Sequence, residues 1–234
     1  MWKKNIIMEV EFDLVTGLHI GGLGGGLRIG GSDNPVIKTR VNFKGTEMDV
    51  PYIPGSSIKG RMRNLLLSVY GKRVSGSVEF SQERPELLDL FGRGINSNES
   101  GANSASDIRR TRLIVRDALP DDESISRAQG MDGFTEVKGE NMINPVTGEA
   151  TPRFIDRVVP GMKFRSEMIL QIMDGDKEEV YLKYVNEAFR LIEDSYIGGQ
   201  GSRGYGKVRI NVVSSRTRLM EDYEKMAREI STET

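Results

Sequence analysis

The first apolar positions of the chain alternate with acidic ones. The apolar members of this pattern are Ile6, Met8, Val10, Phe12 and Leu14. Because successive side chains of a strand point to opposite faces of a sheet, a period of two predicts a half-buried β-strand here. Residues 112–118 and 164–173 have the apolar and β-branched content of two further strands.

Apolar residues spaced three or four apart predict helices in other parts of the chain. After Pro54, either Ser56 or Ser57 is a candidate N-cap. The apolar face of the helix that follows comprises Ile58, Met62, Leu65, Leu66 and Val69. A short helix is predicted to begin near Pro85 and to end at Gly92, because proline favours the first turn of a helix and glycine favours its end.

Two more helices are predicted in the C-terminal part of the chain. The apolar face of the first comprises Val185, Phe189, Ile192 and Tyr196. The apolar face of the second comprises Leu219, Tyr223, Met226 and Ile230. Both sets have the spacing of an amphipathic helix that packs on a core. Strands and helices mixed in this order indicate an α+β fold.

Two long segments lack a core pattern. Residues 93–110 are polar and of low complexity, which is typical of a flexible insertion. Residues 119–161 are rich in glycine, proline and charge, and they are too long for an ordinary connection, so we interpret them as a protruding functional arm. The whole chain, residues 1–234, is expected to form a single domain that carries both segments.

Composition excludes several classes of function. The chain has 234 residues, no cysteine, and His19 as its single histidine. Zinc sites built from protein side chains, disulfides and a cysteine nucleophile are therefore not expected. No segment approaches the roughly 20 apolar residues that span a bilayer, and the N-terminus lacks the apolar block of a signal peptide. We expect a soluble cytoplasmic protein without a membrane partner.

Glycine is concentrated in two loops. The first glycine loop, residues 21–38, follows the first predicted strand and carries a single carboxylate, Asp33, just past its last glycine. The second glycine loop, residues 198–206, follows a predicted helix and precedes a strand. Because glycine is costly to order, a dense run indicates either a mobile segment or a backbone that a ligand approaches closely.

The second glycine loop contains two spacings known from nucleotide-binding enzymes. Gly199, Gly201 and Gly204 spell GxGxxG, and the segment from Gly201 to Lys207 spells GxxxxGK. A phosphate-binding loop follows a strand and opens a helix, whereas this loop follows a helix and opens a strand. Val208 also stands where a Walker loop has its metal-binding hydroxyl. A nucleotide-cofactor enzyme is therefore the weakest of the functional hypotheses.

Several motifs, taken in order, resemble one known family. They are LHIGG with Asp33 in GSDNPVIK, YIPGSSIKGRMRNLL, DLFG, RLIVRDA, ENMINPVTGEATPRFIDRVVPGMKF and GGQGSRGYGKV. Each motif alone is weak, but the ordered set extends over the chain apart from the polar insertion. The chain resembles the RAMP-superfamily backbone subunit of type III-A (Csm) CRISPR effector complexes. The backbone subunit of type III-B complexes shares this plan.

The resemblance implies a fold and a set of partners. The fold is a modified ferredoxin-like palm, related to the RRM, with glycine-rich loops and an inserted thumb-like hairpin. Several copies are expected to stack along a CRISPR RNA as a helical filament, together with other Csm subunits. In this family the thumb displaces guide and target nucleotides at regular intervals, and each copy cuts the complementary target RNA beside it.

By its motif, Asp33 matches the catalytic aspartate of the family. The residues alone favour a turn-former in Ser-Asp-Asn-Pro, whereas the resemblance favours catalysis. Asp33 is also the tentative ligand of Mg²⁺ or another divalent metal, which would bridge to an RNA phosphate. The expected nucleophile is the adjacent ribose 2′-hydroxyl, aligned when the thumb displaces a nucleotide.

Candidate RNA-binding residues lie beside or within the two glycine loops and at the start of the helix that follows Pro54. They are His19, Arg28, Ser57, Lys59, Arg61, Ser202, Arg203 and Lys207. Cationic and hydroxyl side chains beside a bare backbone suit a sugar-phosphate chain. His19 is expected to position RNA rather than to transfer protons, although a lone histidine at a strand end is more often structural. Lys59 and Arg61 are alternatively a solvated helix face.

The arm carries apolar and acidic candidates. The apolar ones, which either wedge between bases or pack the base of the arm, are Met131, Phe134, Met142 and Ile143. Glu136 and Glu140 are candidate secondary carboxylates. Besides the RNA-guided endoribonuclease, a non-catalytic RNA-binding scaffold of the same or the type III-B complex stays open. In that alternative, another protein cuts the RNA and Asp33 is dispensable.

Overall fold

A computed structural model of the chain describes residues 1–21, 35–74, 77–92 and 111–225. Most of the first glycine loop, including Arg28 and Asp33, lies outside these residues, and so does the insertion 93–110. Met226 and Ile230, predicted to belong to a C-terminal helix, lie outside them as well. Within the described ranges, no helix is long and apolar enough to cross a membrane.

The helices are separated along the chain by runs of one to three strands. The strands are β1 (Trp2–Leu14), β2 (Lys38–Phe43), β3 (Thr46–Pro51), β4 (Gly71–Val74), β5 (Ser77–Phe80), β6 (Leu113–Val115), β7 (Leu119–Pro120), β8 (Thr135–Ile143), β9 (Ala150–Val158), β10 (Lys163–Met173) and β11 (Val208–Leu219). The helices are α1 (Gly55–Tyr70), α2 (Pro85–Phe91), α3 (Asp122–Gln129) and α4 (Glu178–Asp194). Residues 220–225, which include Tyr223 of the predicted C-terminal helix, are also helical. A 3₁₀ turn, Gly201–Arg203, lies between α4 and β11.

The central sheet is antiparallel and has ferredoxin-like topology. Its strand order is β11-β1-β10-β6, and β7 pairs with the start of β10. Because α1 lies between β1 and β6 in the chain and α4 lies between β10 and β11, the sheet and these helices follow the order βαββαβ. The predicted α+β, ferredoxin-like fold is confirmed.

The alternation predicted for β1 is confirmed by its burial. The five apolar residues predicted to face the core are all buried, and Phe12 lies opposite Phe164 of β10 and Ile210 of β11. These side chains form one core with the apolar faces of α1 and α4. The acidic residues of β1 belong to the other face, where Glu11 pairs with Arg165 at 3.1 Å. One face of the sheet is therefore core and the other is charged.

Helix α1 begins without the predicted serine cap. Its N-cap residue is Pro54, and the Gly55 amide donates instead to the Asp117 carboxylate at 2.7 Å. A side chain distant in sequence therefore caps the helix, which a local pattern cannot indicate. The fully buried residues of the predicted apolar face are Ile58, Met62 and Leu66. Val69, which was also assigned to that face, is 51% exposed.

Strand β6 is shorter than the predicted strand over residues 112–118. After Val115 the chain leaves β10, because Ala118 exchanges two backbone hydrogen bonds with Ile53, at 2.8 and 2.9 Å. Asp117 is thereby placed at the N-terminus of α1. The end of the strand is thus set by contacts with the segment before α1.

The other predicted helices agree with the structure in part. Helix α2 begins at Pro85 and ends before Gly92, whose φ of 80° suits glycine. The buried residues of the predicted α4 face are Val185, Phe189 and Ile192. Tyr196, however, lies beyond the end of α4 at Asp194. Leu219 is the last residue of β11 rather than part of a helix, because the strand continues its pairing with β1 to that point.

Residues 119–161 contain β7, α3 and the hairpin of β8 and β9. Helix α3 was not predicted, although its N-cap Asp121 accepts a hydrogen bond from the Ser124 amide at 2.8 Å, which is a local signal. Strands β8 and β9 form a two-stranded sheet of their own. At its base, Leu18 and Val158 exchange backbone hydrogen bonds of 3.1 and 2.7 Å. The hairpin is thereby joined to the segment that leads into the first glycine loop.

A largely buried ion pair fixes the chain two residues after the polar insertion. Arg112 Nε donates to Asp176 Oδ2 at 2.8 Å, and the two side chains are 16% and 10% exposed. The Asp176 carboxylate also accepts hydrogen bonds from the Met173 amide at 2.8 Å and from the Tyr181 hydroxyl at 3.4 Å. A single carboxylate thus joins β6, β10 and α4.

Candidate functional site

Both ends of the first glycine loop are held at one place in the fold. Gly21 and Val36 form an antiparallel bridge, and the Ile37 amide donates to the Ile20 carbonyl at 2.9 Å. The loop therefore leaves and rejoins the domain at neighbouring points. Asp33 lies three positions before Val36 in the sequence, but outside the described residues. Its predicted catalytic and metal-binding roles stay predictions.

His19 is part of the support beneath this loop. Its side chain is buried, with 4% exposed, and Nδ1 lies 2.6 Å from the Asp156 carbonyl oxygen. The His19 carbonyl accepts a hydrogen bond from the Gly199 amide at 2.8 Å. Asp156 also reaches the other end of the loop, where its carboxylate accepts from the Val36 amide at 3.5 Å. His19 is therefore placed to position the loop, and its burial leaves little surface for RNA.

Arg61 is held rigidly on the exposed side of α1. Its guanidinium lies 4.0 Å from the centroid of the Tyr196 ring, and Nε donates to the Tyr196 carbonyl at 2.9 Å. No described carboxylate forms an ion pair with Arg61. Because stacking fixes the plane of the guanidinium and one donor is satisfied internally, the terminal nitrogens remain as directed donors for an anion.

The helix cleft lies between the start of α1 and both glycine loops. It has a volume of about 460 Å³ and is lined by Ile20, Gly21, Ser57, Gly60, Arg61, Asn64, Gly198 and Gly199. Two predicted RNA-binding residues, Ser57 and Arg61, meet here. The cleft combines a cation, small polar groups and bare backbone, which is the composition that a phosphodiester chain requires. It also borders Gly21, where the loop of Asp33 begins.

Lys59 points into the protein rather than toward the helix cleft. Its Nζ donates to Thr111 Oγ1 and to the Leu113 carbonyl, each at 2.6 Å. Burial, followed by the neighbouring Arg63 guanidinium, lowers the pKa of Lys59. The ammonium is thus used to join α1 to β6, which disfavours the predicted phosphate contact.

The second glycine loop is packed against its own surroundings. It follows α4 and opens β11, as the sequence pattern indicated. A Cβ atom at Gly201 would lie 1.9 Å from the Tyr196 ring, and one at Gly206, which has a φ of 70°, would lie 1.9 Å from the Ile197 carbonyl oxygen. These glycines are therefore required for folding whatever ligand the loop binds. Ser202, Arg203 and Lys207 are exposed.

A second cleft lies beside the β8 and β9 hairpin. The hairpin cleft has a volume of about 460 Å³ and is lined by Glu140, Asn141, Met142, Ile143, Arg153 and Arg203. Of the candidate wedge residues, Met131, Met142 and Ile143 are exposed, whereas Phe134 is buried and packs the base of the arm. The predicted RNA-binding residues are thus divided between two clefts that the second glycine loop separates.

The two glutamates of the hairpin are paired with cations. Glu136 accepts hydrogen bonds from Arg157 at 2.7 and 2.8 Å, and Glu140 lies 3.0 Å from Lys138 Nζ. The hydrogen bond from Lys138 holds the pKa of the Glu140 carboxyl below its usual value. These pairings disfavour the role of free secondary carboxylates. Within the described part of the chain, no group of three or more His, Asp or Glu side chains is placed to hold a metal ion.

Tyr205, at the base of the hairpin, is expected to make the stability of the fold depend on pH. Burial, with the Glu140 carboxylate second, raises the pKa of Tyr205 from 10.0 to about 12. Because the folded chain then holds the phenolic proton more tightly than the unfolded chain, this stability is complete below the lower value and is lost as the pH rises from 10 toward 12. We expect Tyr205→Phe, which keeps the ring beneath Lys138, to lose less stability in that range.

Urea unfolding of the wild-type protein and Tyr205→Phe at about pH 9 and about pH 11 measures this effect. The free energy of unfolding of the wild type should fall relative to that of the variant at the higher pH. An equal difference between the two proteins at both pH values would contradict the assignment.

The sequence predictions missed several residues in or beside the two clefts. Asn64 and Arg153 line clefts, and Tyr196 carries Arg61. Asn64 lies three positions after Arg61 on α1, so the helical period could have indicated it. Nothing local marks Arg153 or the stacking role of Tyr196, because both depend on contacts between segments distant in sequence.

Comparisons with known proteins connect this geometry to one family. The family model described as the RAMP superfamily matches residues 11–209. The chain is 41% identical to the CRISPR system Cms endoribonuclease Csm3 of Methanothermobacter thermautotrophicus, over 97% of this chain and 92% of that protein. It is 37% identical to the protein of the same name from Streptococcus thermophilus, over 93% of this chain and 92% of that protein.

A solved structure is similar in fold. It is the cryo-EM structure of the type III-B Cmr-beta bound to cognate target RNA, with a TM-score of 0.53 and 18% sequence identity. The match covers 93% of this chain and 61% of that chain, so this chain spans about three fifths of the other's length.

Proposed function

The chain belongs to the RAMP superfamily, and from this premise we propose that it is a guide-RNA-binding backbone subunit of a type III-A CRISPR effector complex that cleaves complementary target RNA. The observation that carries the proposal is the identity to Csm3 endoribonucleases over nearly the whole chain. The helix cleft supports it, because a fixed arginine, small polar groups and bare backbone converge beside the loop that contains Asp33.

The described residues have distinct parts in this function. Arg61 binds an RNA phosphate, and Ser57 and Asn64 supply hydrogen bonds at the same cleft. His19 and Asp156 hold the two ends of the first glycine loop, so that the loop is presented at a constant position along the RNA. Further copies of the chain, stacked along the guide as a filament with other Csm subunits, would repeat this arrangement at regular intervals.

We place Asp33 at the scissile phosphate. The 2′-oxygen of the preceding ribose attacks the phosphorus, and the bond to the 5′-oxygen of the next nucleotide breaks. The 2′-hydroxyl proton passes to water, and the departing 5′-oxygen takes a proton from water. The products are a 2′,3′-cyclic phosphate and a 5′-hydroxyl. A divalent cation such as Mg²⁺ would be held in part by Asp33 and would supply charge stabilisation at the phosphate and the departing oxygen.

Two measurements test the proposal. One is whether the chain retains guide RNA, and the other is whether cleavage requires a divalent metal. The full chain, expressed with its guide RNA and partner subunits, should copurify with the guide and should cut labelled complementary RNA in Mg²⁺. Cleavage should cease in EDTA and return when Mg²⁺ is restored. A complex that retains no guide RNA would contradict the binding function, and cleavage that persists in EDTA would contradict the metal.

The substitution Gly60→Ala is expected to change the stability of the fold and the affinity for RNA in opposite directions. A Cβ atom at this exposed helix position would meet nothing within 4 Å, so we expect Gly60→Ala to stabilise the folded chain by about 0.5 to 1 kcal/mol. The new methyl group lies in the helix cleft, where it should weaken RNA binding several-fold by keeping the RNA backbone away. Urea unfolding and an RNA titration measure the two effects.

Ser68→Ala is the matched control for Gly60→Ala. Ser68 is exposed on the same helix but does not line the helix cleft, and its hydroxyl bonds to the Asn64 carbonyl one turn earlier. The control should raise helix propensity without changing RNA affinity. Unchanged RNA affinity in Gly60→Ala would place the RNA outside the helix cleft.

A further inference from the structure

Tyr196 connects the second glycine loop to the helix cleft, although it does not line that cleft. We propose that Tyr196 is a positioning residue for RNA binding, whose ring holds the Arg61 guanidinium in the orientation that receives an RNA phosphate. This inference rests on the proposed function, because it takes the ligand of Arg61 to be RNA. It gives the second glycine loop a part in RNA binding that requires no direct contact with RNA.

Two groups of Tyr196 contact Arg61. The centroid of the ring lies 4.0 Å from the guanidinium carbon, and the Tyr196 carbonyl accepts a hydrogen bond from Arg61 Nε at 2.9 Å. A free arginine side chain samples many rotamers and loses that freedom when it binds a phosphate. Because the ring and the carbonyl hold the side chain before RNA arrives, part of this entropy is lost on folding rather than on binding.

The ring of Tyr196 is itself fixed by the second glycine loop. The next residue, Ile197, is buried, and its amide donates to the Gly206 carbonyl at 2.8 Å. A Cβ atom at Gly201 would lie only 1.9 to 2.2 Å from three atoms of the ring, so the backbone of the loop lies directly against the ring. A ring held in this way offers Arg61 a surface of constant position.

The aromatic ring, rather than the hydroxyl group, is the part of the Tyr196 side chain that acts on Arg61. Among the described residues, the hydroxyl group has no hydrogen-bond partner. The face of an aromatic ring attracts a guanidinium group and fixes its plane, whereas an aliphatic side chain of similar size cannot do so. The inference therefore predicts that a variant with an aromatic ring retains RNA affinity and that an aliphatic variant loses part of it.

A double-mutant cycle with Arg61 tests the positioning role. The full chain, freed of copurified RNA, is titrated with a labelled single-stranded oligoribonucleotide. Arg61→Ala should weaken binding by about tenfold, as expected when a charge-assisted contact is lost. Tyr196→Leu keeps the backbone carbonyl but removes the ring, and it should weaken binding by about three- to fivefold. In the Arg61→Ala background, Tyr196→Leu should change the affinity by less than about twofold, because the side chain that Tyr196 positions is then absent.

Two control variants separate the role of the ring from damage to the fold. Tyr196→Phe keeps the ring and removes only the hydroxyl group, so it should bind RNA as wild type does. Tyr70→Leu removes the ring of a second tyrosine that contacts an arginine, since the Arg84 guanidinium lies 4.5 Å from the Tyr70 ring centroid. That pair lies outside the helix cleft, so Tyr70→Leu should lower the free energy of unfolding in urea but leave RNA affinity unchanged.

The outcomes distinguish the positioning role from the proposed function. If wild type and Tyr196→Leu bind RNA with equal affinity, the positioning role is refuted and the proposed function stands. An equal loss in the wild-type and Arg61→Ala backgrounds, or a similar loss in Tyr70→Leu, also refutes the positioning role. If Arg61→Ala binds RNA as wild type does, Arg61 makes no phosphate contact and Tyr196 has nothing to position. If wild type binds no RNA at all, the proposed function fails, and the positioning role fails with it.

Discussion

Replacement of Asp33 by alanine is expected to slow RNA cleavage by about 10²- to 10³-fold, the range for loss of one group that stabilises charge in the transition state. RNA retention should be unchanged, because the described residues of the helix cleft and the hairpin cleft remain. The reason is chemical: the first glycine loop contributes one carboxylate, and His19 is buried against the Asp156 carbonyl. Single-turnover cleavage of labelled complementary RNA by the assembled complex measures the rate.

Asp49→Ala is the matched control for Asp33→Ala. Asp49 is an exposed aspartate of the neighbouring β2 and β3 hairpin, where it pairs with Arg40 at 3.3 Å. The substitution Asp49→Ala removes the same charge from the same region of the chain. It should leave the cleavage rate within about twofold of the wild-type rate, since exposed ion pairs contribute little. Equal rates for wild type and Asp33→Ala would transfer the chemistry to another protein and leave this chain as a scaffold.

Asp176→Ala is expected to destabilise the folded chain by about 3 kcal/mol, because it removes a carboxylate that pairs with the largely buried Arg112. The substitution also removes the acceptor of the Met173 amide and one acceptor of the Tyr181 hydroxyl. Such a loss is a large part of the stability of an ordinary domain. Urea unfolding at neutral pH measures the change in the free energy of unfolding.

Asp174→Ala supplies the comparison on the same loop. Asp174 pairs with the N-terminal ammonium at 3.0 Å, but its side chain is 63% exposed. Its loss should cost no more than about 1 kcal/mol, because solvent screens such a pair. If Asp174→Ala and Asp176→Ala lowered the free energy of unfolding by similar amounts, burial of the Arg112–Asp176 pair would not determine its contribution to stability.

Elements with strong local patterns were predictable. The period of two in β1 and the spacing of Val185, Phe189 and Ile192 in α4 each describe a surface that meets the core along its whole length. Proline at the start of α2 and glycine after it acted through their own backbone preferences. In these cases the local signal and the tertiary packing favour the same structure.

Elements governed by distant contacts were not predictable. Asp117 caps α1 from another segment, Lys59 turns inward because Leu113 and Thr111 offer acceptors, and Tyr196 is fixed by Gly201. The same limit applied to the candidate site. The sequence indicated the basic residues and the glycine loops as parts of the site. Their division between two clefts could not be predicted, because it depends on how the hairpin packs beside the second glycine loop.

The catalytic assignment had a different source. Residue chemistry alone left Asp33 as a turn residue, and the order of motifs along the chain provided the argument for catalysis. The described residues add that the loop of Asp33 is anchored at both ends beside the helix cleft.

An exchange of guides tests the central claim most directly. Two complexes of the full chain, loaded with different guide RNAs, are each given both complementary target RNAs in Mg²⁺, and the products are mapped on a sequencing gel. We predict that each complex cuts only the target that matches its guide, at regularly spaced positions. Cleavage of both targets alike, or of neither while the guide is retained, would contradict an RNA-guided endoribonuclease.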